Sequence, residues 1–308
     1  QQYPEVEARV FASGEPTWPS AKVFSLDLLV KEARHELLVI TDSDVRIEPD
    51  SMLDIVAPLR DSKVGMVFCL YRGEPVGGLW SRLEALGMSV EMTSGVLIAS
   101  MLEGLKFALG PTMVIRKEVL ARIGGVAPLA DYYADDFVLG NRVAAAGYEV
   151  VIPREVVNHI VLNHSFLRSM RHQLRWMKST RFSRPKGHLG TGLTFAMPFG
   201  LLALVAGALS GWTTLGATLF AWAVLNRMIQ AIVVGWGAVR DPRALWFCWL
   251  HPLRDLIGFA LWAGSYGGST IEWRGEQYRL TQGGSIIKLS GTPQQARAAA
   301  PEAQRRLE

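Results

Sequence analysis

Asp42-Ser43-Asp44 follows directly on the apolar run Leu37-Leu38-Val39-Ile40-Thr41. The run predicts a buried strand that ends in two carboxylates at spacing two. A strand alternates its side chains between faces, but at its end the turn can swing both acids toward one point. Two hard oxygen ligands there suit Mg²⁺ or Mn²⁺, and such an ion can hold a diphosphate. An Asp-x-Asp loop by itself is more often a solvated turn, so its meaning rests on what comes after it.

Asp135-Asp136 comes next, after Tyr132-Tyr133, at the start of a predicted helix. A carboxylate there faces the positive end of the helix, which favours its ionised form. The pair is either a cap with a first-turn acid or a general base that takes a proton from an acceptor hydroxyl. Displacing a nucleotide diphosphate with an alcohol needs charge neutralisation on the leaving group and deprotonation of the nucleophile. Asp42 and Asp44 with a metal supply the first, and Asp136, beside Asp135, supplies the second. His172-Gln173-Leu174-Arg175-Trp176 lies on a predicted basic amphipathic helix, Ser165–Thr180. Arg175 can clamp a diphosphate bidentately. Trp176 can stack on a sugar or lipid, or fill the core. His159 and His164 flank an apolar stretch. His164 could join the Asp pair as a ligand, although a hydrogen-bonded structural histidine is the commoner reading.

The elements that must position these residues alternate along residues 1–186. Strands are expected at Ala8–Ala12, Leu37–Thr41, Val64–Leu70, Thr112–Ile115 and Glu149–Ile152. Helices are expected at Phe24–Ala33, from Pro49-Asp50-Ser51 to Arg60, over most of 79–104, at Lys117–Ile123 before Gly124-Gly125, and from Asp135 to Ala146. Strands alternating with helices mean an α/β sheet, with ligands at the carboxyl ends of the strands.

The remainder is different in kind. Hydrophobic residues make up 49% of the 308, charged ones only 19%, and the apolar excess lies in the last third, which sets the chain apart from ordinary soluble enzymes. Leu193–Leu209, Trp212–Trp236 and Trp246–Tyr266 are each about long enough to span ~30 Å of hydrocarbon at ~1.5 Å per residue. The third carries His251, Arg254 and Asp255, which favours a re-entrant or interfacial course over a simple span. Two spans return the chain to the cytoplasm at Arg240 and Arg243, as the positive-inside tendency asks. A basic cluster from Arg168 to Lys186 lies just before the first apolar segment, where an anionic membrane surface or a diphosphate fits better than nucleic acid. Cys69 and Cys248 fall in unrelated runs, so no disulfide is expected. The chain opens on Gln1 in polar sequence with no signal peptide, and is expected to be a fragment.

The ordered set resembles family 2-like glycosyltransferases, most closely the ceramide glucosyltransferase group of family 21. That group's strand-Asp-Ser motif is similar to Thr41-Asp42-Ser43-Asp44, and its acidic-Asp-aromatic motif to Asp135-Asp136-Phe137. Its Arg-Trp motif is similar to His172 through Arg175-Trp176, and its tail to Ile271-Glu272-Trp273-Arg274-Gly275 through Gly283-Gly284. The resemblance implies a GT-A-type α/β domain at 1–186, lacking its first nucleotide-binding strand. A membrane region at 187–270, an interfacial tail motif at 271–290 and a disordered end at 291–308 would follow. It further implies inverting transfer of a hexose, glucose first, from a UDP-sugar to a lipid hydroxyl such as ceramide. The setting would be the cytoplasmic face of a cell inner membrane, in a multi-pass protein that binds no nucleic acid. Asp136 with Asp135 would be catalytic. Asp42, Asp44, His172, Arg175 and Trp176 would bind the donor diphosphate, with Mg²⁺ or Mn²⁺ on Asp44 and Asp42. His172 departs from the Gln or Arg of the motif, and imidazole can donate to phosphate without always being charged. Transfer of N-acetylglucosamine to a hopanoid polyol, a processive polysaccharide synthase and a non-catalytic membrane protein are the alternatives.

Overall fold

Ser20 accepts the Val23 N–H through its hydroxyl and so starts the first helix, α1 (Ala21–Glu32), in the computed structural model, which describes residues 7–162 and 165–289. There follow β1 (Leu37–Thr41), β2 (Val45–Arg46), α2 (Ser51–Val56) with a tight turn through Arg60, β3 (Val64–Phe68) and β4 (Leu70–Pro75). Next, α3 (Leu79–Gly87) runs through a π-helical stretch at Met88–Met92 into α4 (Thr93–Glu103). β5 (Thr112–Arg116), α5 (Lys117–Arg122), α6 (Asp135–Ala145), β6 (Glu149–Val151), β7 (Val156–Val161) and α7 (Phe166–Ser183) complete the first part.

The main sheet has the order β1-β5-β3-β6, with β5 antiparallel to both neighbours and β3 parallel to β6. Successive residues of β3 and β5 enter different cores. Met66, Phe68, Met113 and Ile115 pack on one side with Leu120, Leu139 and Val143, while Val67 and Val114 pack on the other with Ile55 and Val157. A sheet covered on both faces is why these strands read as continuous apolar runs. The mixed α/β architecture agrees with the α/β sheet expected from the sequence.

Two expectations need correction, and one strand was missed. Ala8–Ala12 is irregular, not a strand. The run Val64–Leu70 divides at Cys69, where the chain passes from the main sheet to a second one, β2-β7-β4. β7 itself was not expected, because Asn158 and His159 interrupt its apolar pattern. Asn158 is buried there at low cost, since it accepts from Arg72 Nε at 2.6 Å and donates to Glu48 at 3.0 Å.

α8 (Pro185–Thr191) leads through a short turn to α9 (Met197–Ser210), bent by 49° from it. α10 (Thr213–Gln230) continues as π-helix to Trp236. Where α9 and α10 cross, a Cβ on Gly207 would lie 2.9 Å from the Gly216 Cα, so the close approach depends on both glycines. Among the described residues, Thr213–Trp236 and Leu79–Glu103 are long and apolar enough to cross a membrane, and the bent pair makes a third candidate. Leu79–Glu103 is more than half buried inside the protein, whereas Thr213–Trp236 is almost wholly bare. The third expected apolar segment is broken: α11 (Arg243–Trp246) and α12 (His251–Gly264) are separate. α12 has 14 residues, about 21 Å at ~1.5 Å per residue, too short for a ~30 Å core. Its Arg254 and Asp255 are buried in ion pairs with Glu91 and Arg227.

β8 (Thr270–Trp273), β9 (Glu276–Leu280) and β10 (Ile286–Leu289) form a small antiparallel sheet. It returns to the first part of the chain: the Ile286 N–H donates to the Asp131 carbonyl at 2.7 Å, and Ser285 bridges Tyr132.

Candidate active site

β1 delivers Asp42 to the end of the main sheet. The Asp42 N–H donates to the Pro111 carbonyl at 3.1 Å, and the Thr41 hydroxyl donates to the same oxygen at 2.9 Å. Asp42 is 3.4 Å from the Lys22 ammonium, which is 3.3 Å from Asp135. One lysine therefore joins the acid after β1 to the acid that opens α6. Burial alone would lower the Lys22 pKa, but Asp135, Asp42 and Asp136 outweigh it and hold the ammonium charged well above its ordinary range. Sequence reasoning missed Lys22. The expected helix began at Phe24, so the sequence offered no sign that Lys22 sits in its first turn facing acids. The Ser20 N–H donates to the Ala130 carbonyl at 3.0 Å, and this pins the start of α1 beside the loop that leads into α6.

Asp44 follows two residues later in the same turn, with its side chain 46% exposed. Its carboxylate is 3.9 Å from His159 Nε2, and its carbonyl accepts the Ile160 N–H at 2.7 Å. His159 is buried between the Tyr71 and Trp176 rings. Among the described residues no three of His, Cys, Asp and Glu gather around one point. The donor set still fits a hard cation, because Mg²⁺ and Mn²⁺ sites need only one or two carboxylates, with waters and substrate phosphates completing the shell. Asp42 and Asp44 are both open enough to admit them. His164 lies outside the described residues.

Asp136 is held by backbone donors at both oxygens. Gly110 N–H donates to Oδ2 at 2.6 Å and Phe137 N–H to Oδ1 at 2.8 Å. Burial, then the charge of Asp135, push its pKa up to about 6, while Lys22 and the two N–H donors resist the rise. Asp135 is buried more deeply and is likewise pushed up by burial, against the pull of Lys22. A carboxyl poised near 6 can take a proton at neutral pH and keep it while a bond is made.

α7 brings the third group. Arg175 stands 5.8 Å over the Tyr133 ring, next to the acidic pair. Tyr133 is fixed by its N–H to the Gly284 carbonyl at 3.2 Å and by the edge of Trp273 at 5.2 Å, so the C-terminal sheet helps to place Arg175. The His172 and Trp176 rings meet at 4.3 Å between centroids, tilted by 54°. His172 Nδ1 is 2.7 Å from Glu84, a buried acid that also accepts the Ser169 hydroxyl at 2.6 Å. His172 is thus anchored toward α3 through Nδ1, a partner the sequence did not reveal. The site consists of two rows: Asp42, Lys22, Asp135 and Asp136, and, beside Asp44, His159, Trp176 and His172. Cys69 and Cys248 are both free, as expected.

Glycosyl transferase family 21 matches residues 1–286. Ceramide glucosyltransferase 1 of Caenorhabditis elegans is 23% identical over 295 residues, covering 93% of this chain and 62% of its own length. Ceramide glucosyltransferase 3 of the same animal is 22% identical over 296 residues, covering 93% and 63%. The chain therefore spans less than two thirds of these relatives. Among solved structures, the mannosyltransferase PcManGT from Pyrobaculum calidifontis, in complex with GDP-Man and Mn²⁺, is 18% identical over 78% of this chain and 66% of that one, with a TM-score of 0.37.

Proposed function

Since this chain belongs to glycosyltransferase family 21, we propose that it moves a hexose, glucose first, from a UDP-sugar to a lipid hydroxyl such as that of ceramide. The reaction takes place at the cytoplasmic face of the inner membrane, with α9 and α10 anchoring the protein there. The observation that carries this reading is the Lys22 bridge, which gathers the acid of the diphosphate side and the acids of the base side into one cluster.

Asp136 takes the proton of the attacking lipid hydroxyl. The Gly110 and Phe137 N–H groups hold its carboxylate in place without blocking every lone pair. The lipid oxygen bonds to the anomeric carbon as the bond from that carbon to the diphosphate oxygen breaks. UDP leaves with the electron pair, and the configuration inverts. Asp42 and Asp44 would hold the divalent cation, which when bound neutralises charge on the departing diphosphate. Arg175, set by Tyr133, adds a guanidinium on that side. Trp176 and His172 supply an aromatic surface for the sugar or the lipid.

The test is mass spectrometry of lipids after the full-length protein in nanodiscs is given UDP-glucose and ceramide. A hexosylceramide that disappears in Asp136→Asn is the expected result. No glycolipid from any UDP-hexose, in a protein that still binds UDP, overturns the reading.

A further inference from the structure

A cavity of about 280 Å³ opens between α3 and the segment after α10, with Arg82, Leu86, Asp241, Arg243, Phe247 and Leu250 among its walls. It is separate from the active site. Arg82 and Leu86 share one face of α3, whereas Glu84 points toward α7 and His172.

The charge in this cavity is unbalanced. Asp241 is saturated: one oxygen accepts from Arg243 Nε at 2.8 Å and from the Arg243 N–H at 3.0 Å, and the other accepts the Ser89 hydroxyl at 2.8 Å. Its side chain is 2% exposed. Arg243 offsets that acid and still has terminal amino groups with no acceptor among the described residues. Arg82 is surplus. It has no carboxylate at ion-pair distance among the described residues, and it follows a first turn of α3 that contains no acid. A cation near the positive end of a helix is disfavoured unless an anion joins it.

The remaining walls are apolar. Trp246 and Trp249, on the stretch between α10 and α12 that supplies Phe247 and Leu250, are 76% and 61% exposed. Bare tryptophans beside arginines at the end of a bare apolar helix belong at a membrane–water interface. Two guanidiniums over an apolar floor match a phosphate ester that carries acyl chains.

We propose that this cavity binds the phosphate headgroup of an anionic phospholipid, with Arg82 and Arg243 on the phosphate and Phe247 and Leu250 against the glycerol and upper acyl carbons. The lipid fastens the segment between α10 and α12 to the bilayer surface. The inference rests on the membrane reading of α9 and α10.

The experiment uses the full-length protein. An alkaline carbonate wash of membranes comes first. Protein that washes out overturns the membrane reading and this inference together. Protein that stays is purified in detergent, and native mass spectrometry counts retained phosphatidylglycerol and phosphatidylcholine. Wild type keeps one phosphatidylglycerol in preference, and Arg82→Gln lowers that preference about fivefold. Arg154→Gln, which removes an exposed arginine between β6 and β7, leaves it unchanged. Phe247→Ser weakens lipid retention while the protein still folds and inserts. Equal retention of the two lipids by wild type, or equal loss in Arg82→Gln and Arg154→Gln, overturns the proposal. Glycerol phosphate binding as tightly as the lipid overturns it too, since the site would then take free phosphate.

Discussion

Asp42 and Asp136 are tied to consecutive residues of a single turn: the Asp42 N–H donates to the Pro111 carbonyl at 3.1 Å, and the Gly110 N–H donates to Asp136 Oδ2 at 2.6 Å. The spacing between Asp42, proposed for the diphosphate side, and Asp136, the proposed base, is therefore set by one dipeptide. A Cβ on Gly110 would sit 3.1 Å from Asp136 Oδ2, tighter than ordinary contact. Gly110→Ala should shift that carboxylate and cut turnover by about tenfold or more, with donor affinity changed less. Steady-state kinetics with separate titration of UDP checks it; unchanged turnover contradicts the shared-turn account.

Asp136→Asn should lower turnover by ~10²–10⁴ while UDP binding stays near wild type. A base in this role works only when ionised, and the Asp136 pKa is raised to about 6. Turnover should then fall as pH drops below about 6 and level off above it. A profile flat from pH 5 to 7.5 would remove Asp136 from the role.

Lys22→Met leaves Asp42, Asp135 and Asp136 without their shared cation. Loss of one partner from a buried ionic cluster costs about 3 kcal/mol. Protonating the acids relieves that loss, so the gap from wild type should be wide at pH 8 and narrow at pH 5. Thermal melts of both proteins across that range measure it. Because Lys22 helps keep the Asp136 pKa down, the acid limb of the rate profile should also move up in the variant.

Asp44→Ala should abolish the gain in UDP affinity that Mn²⁺ gives the wild type, because a half-exposed carboxylate beside His159 is the freer ligand of the pair. Calorimetric titration of UDP with and without Mn²⁺ in both proteins decides the point. Equal affinities in all four would eliminate the metal role of this turn.

A reporter cysteine at position 282, which is exposed just before β10, tests the course of α12. With α12 too short to span, Gln282→Cys should resist an impermeant thiol reagent added to intact cells and react after the membrane is opened. Labelling from outside would mean that the chain crosses once more.

The positions of the acids were legible because strong local patterns flank them: the apolar run of β1 ends at Thr41, just before Asp42, and α6 opens on Asp135-Asp136. Arg175 and Trp176 were legible from a basic helical stripe. Lys22 was not, because a lysine on a surface-type helix looks the same whether it faces water or three carboxylates. Glu84 was hidden for the opposite reason. It sits in an apolar helix, and only α7 packing against it shows that Ser169 and His172 satisfy its charge. β7 escaped notice because buried polar residues mimic a loop until their partners, Arg72 and Glu48, are in view. Length gave three apolar segments, but length does not register that Phe247 to Leu250 breaks the third.

The return of β10 to Asp131 and Tyr132 has a consequence for biosynthesis. The ribosome delivers the acids, Tyr133 and Arg175 long before it delivers Gly284 and Ile286, and α9, α10 and α12 emerge in between. The contacts that brace Tyr133 under Arg175 can form only after those apolar helices have been made and packed out of the way. If α9 and α10 insert in a membrane as proposed, a chain that stalled there would carry every proposed catalytic residue yet lack the contacts that brace Tyr133.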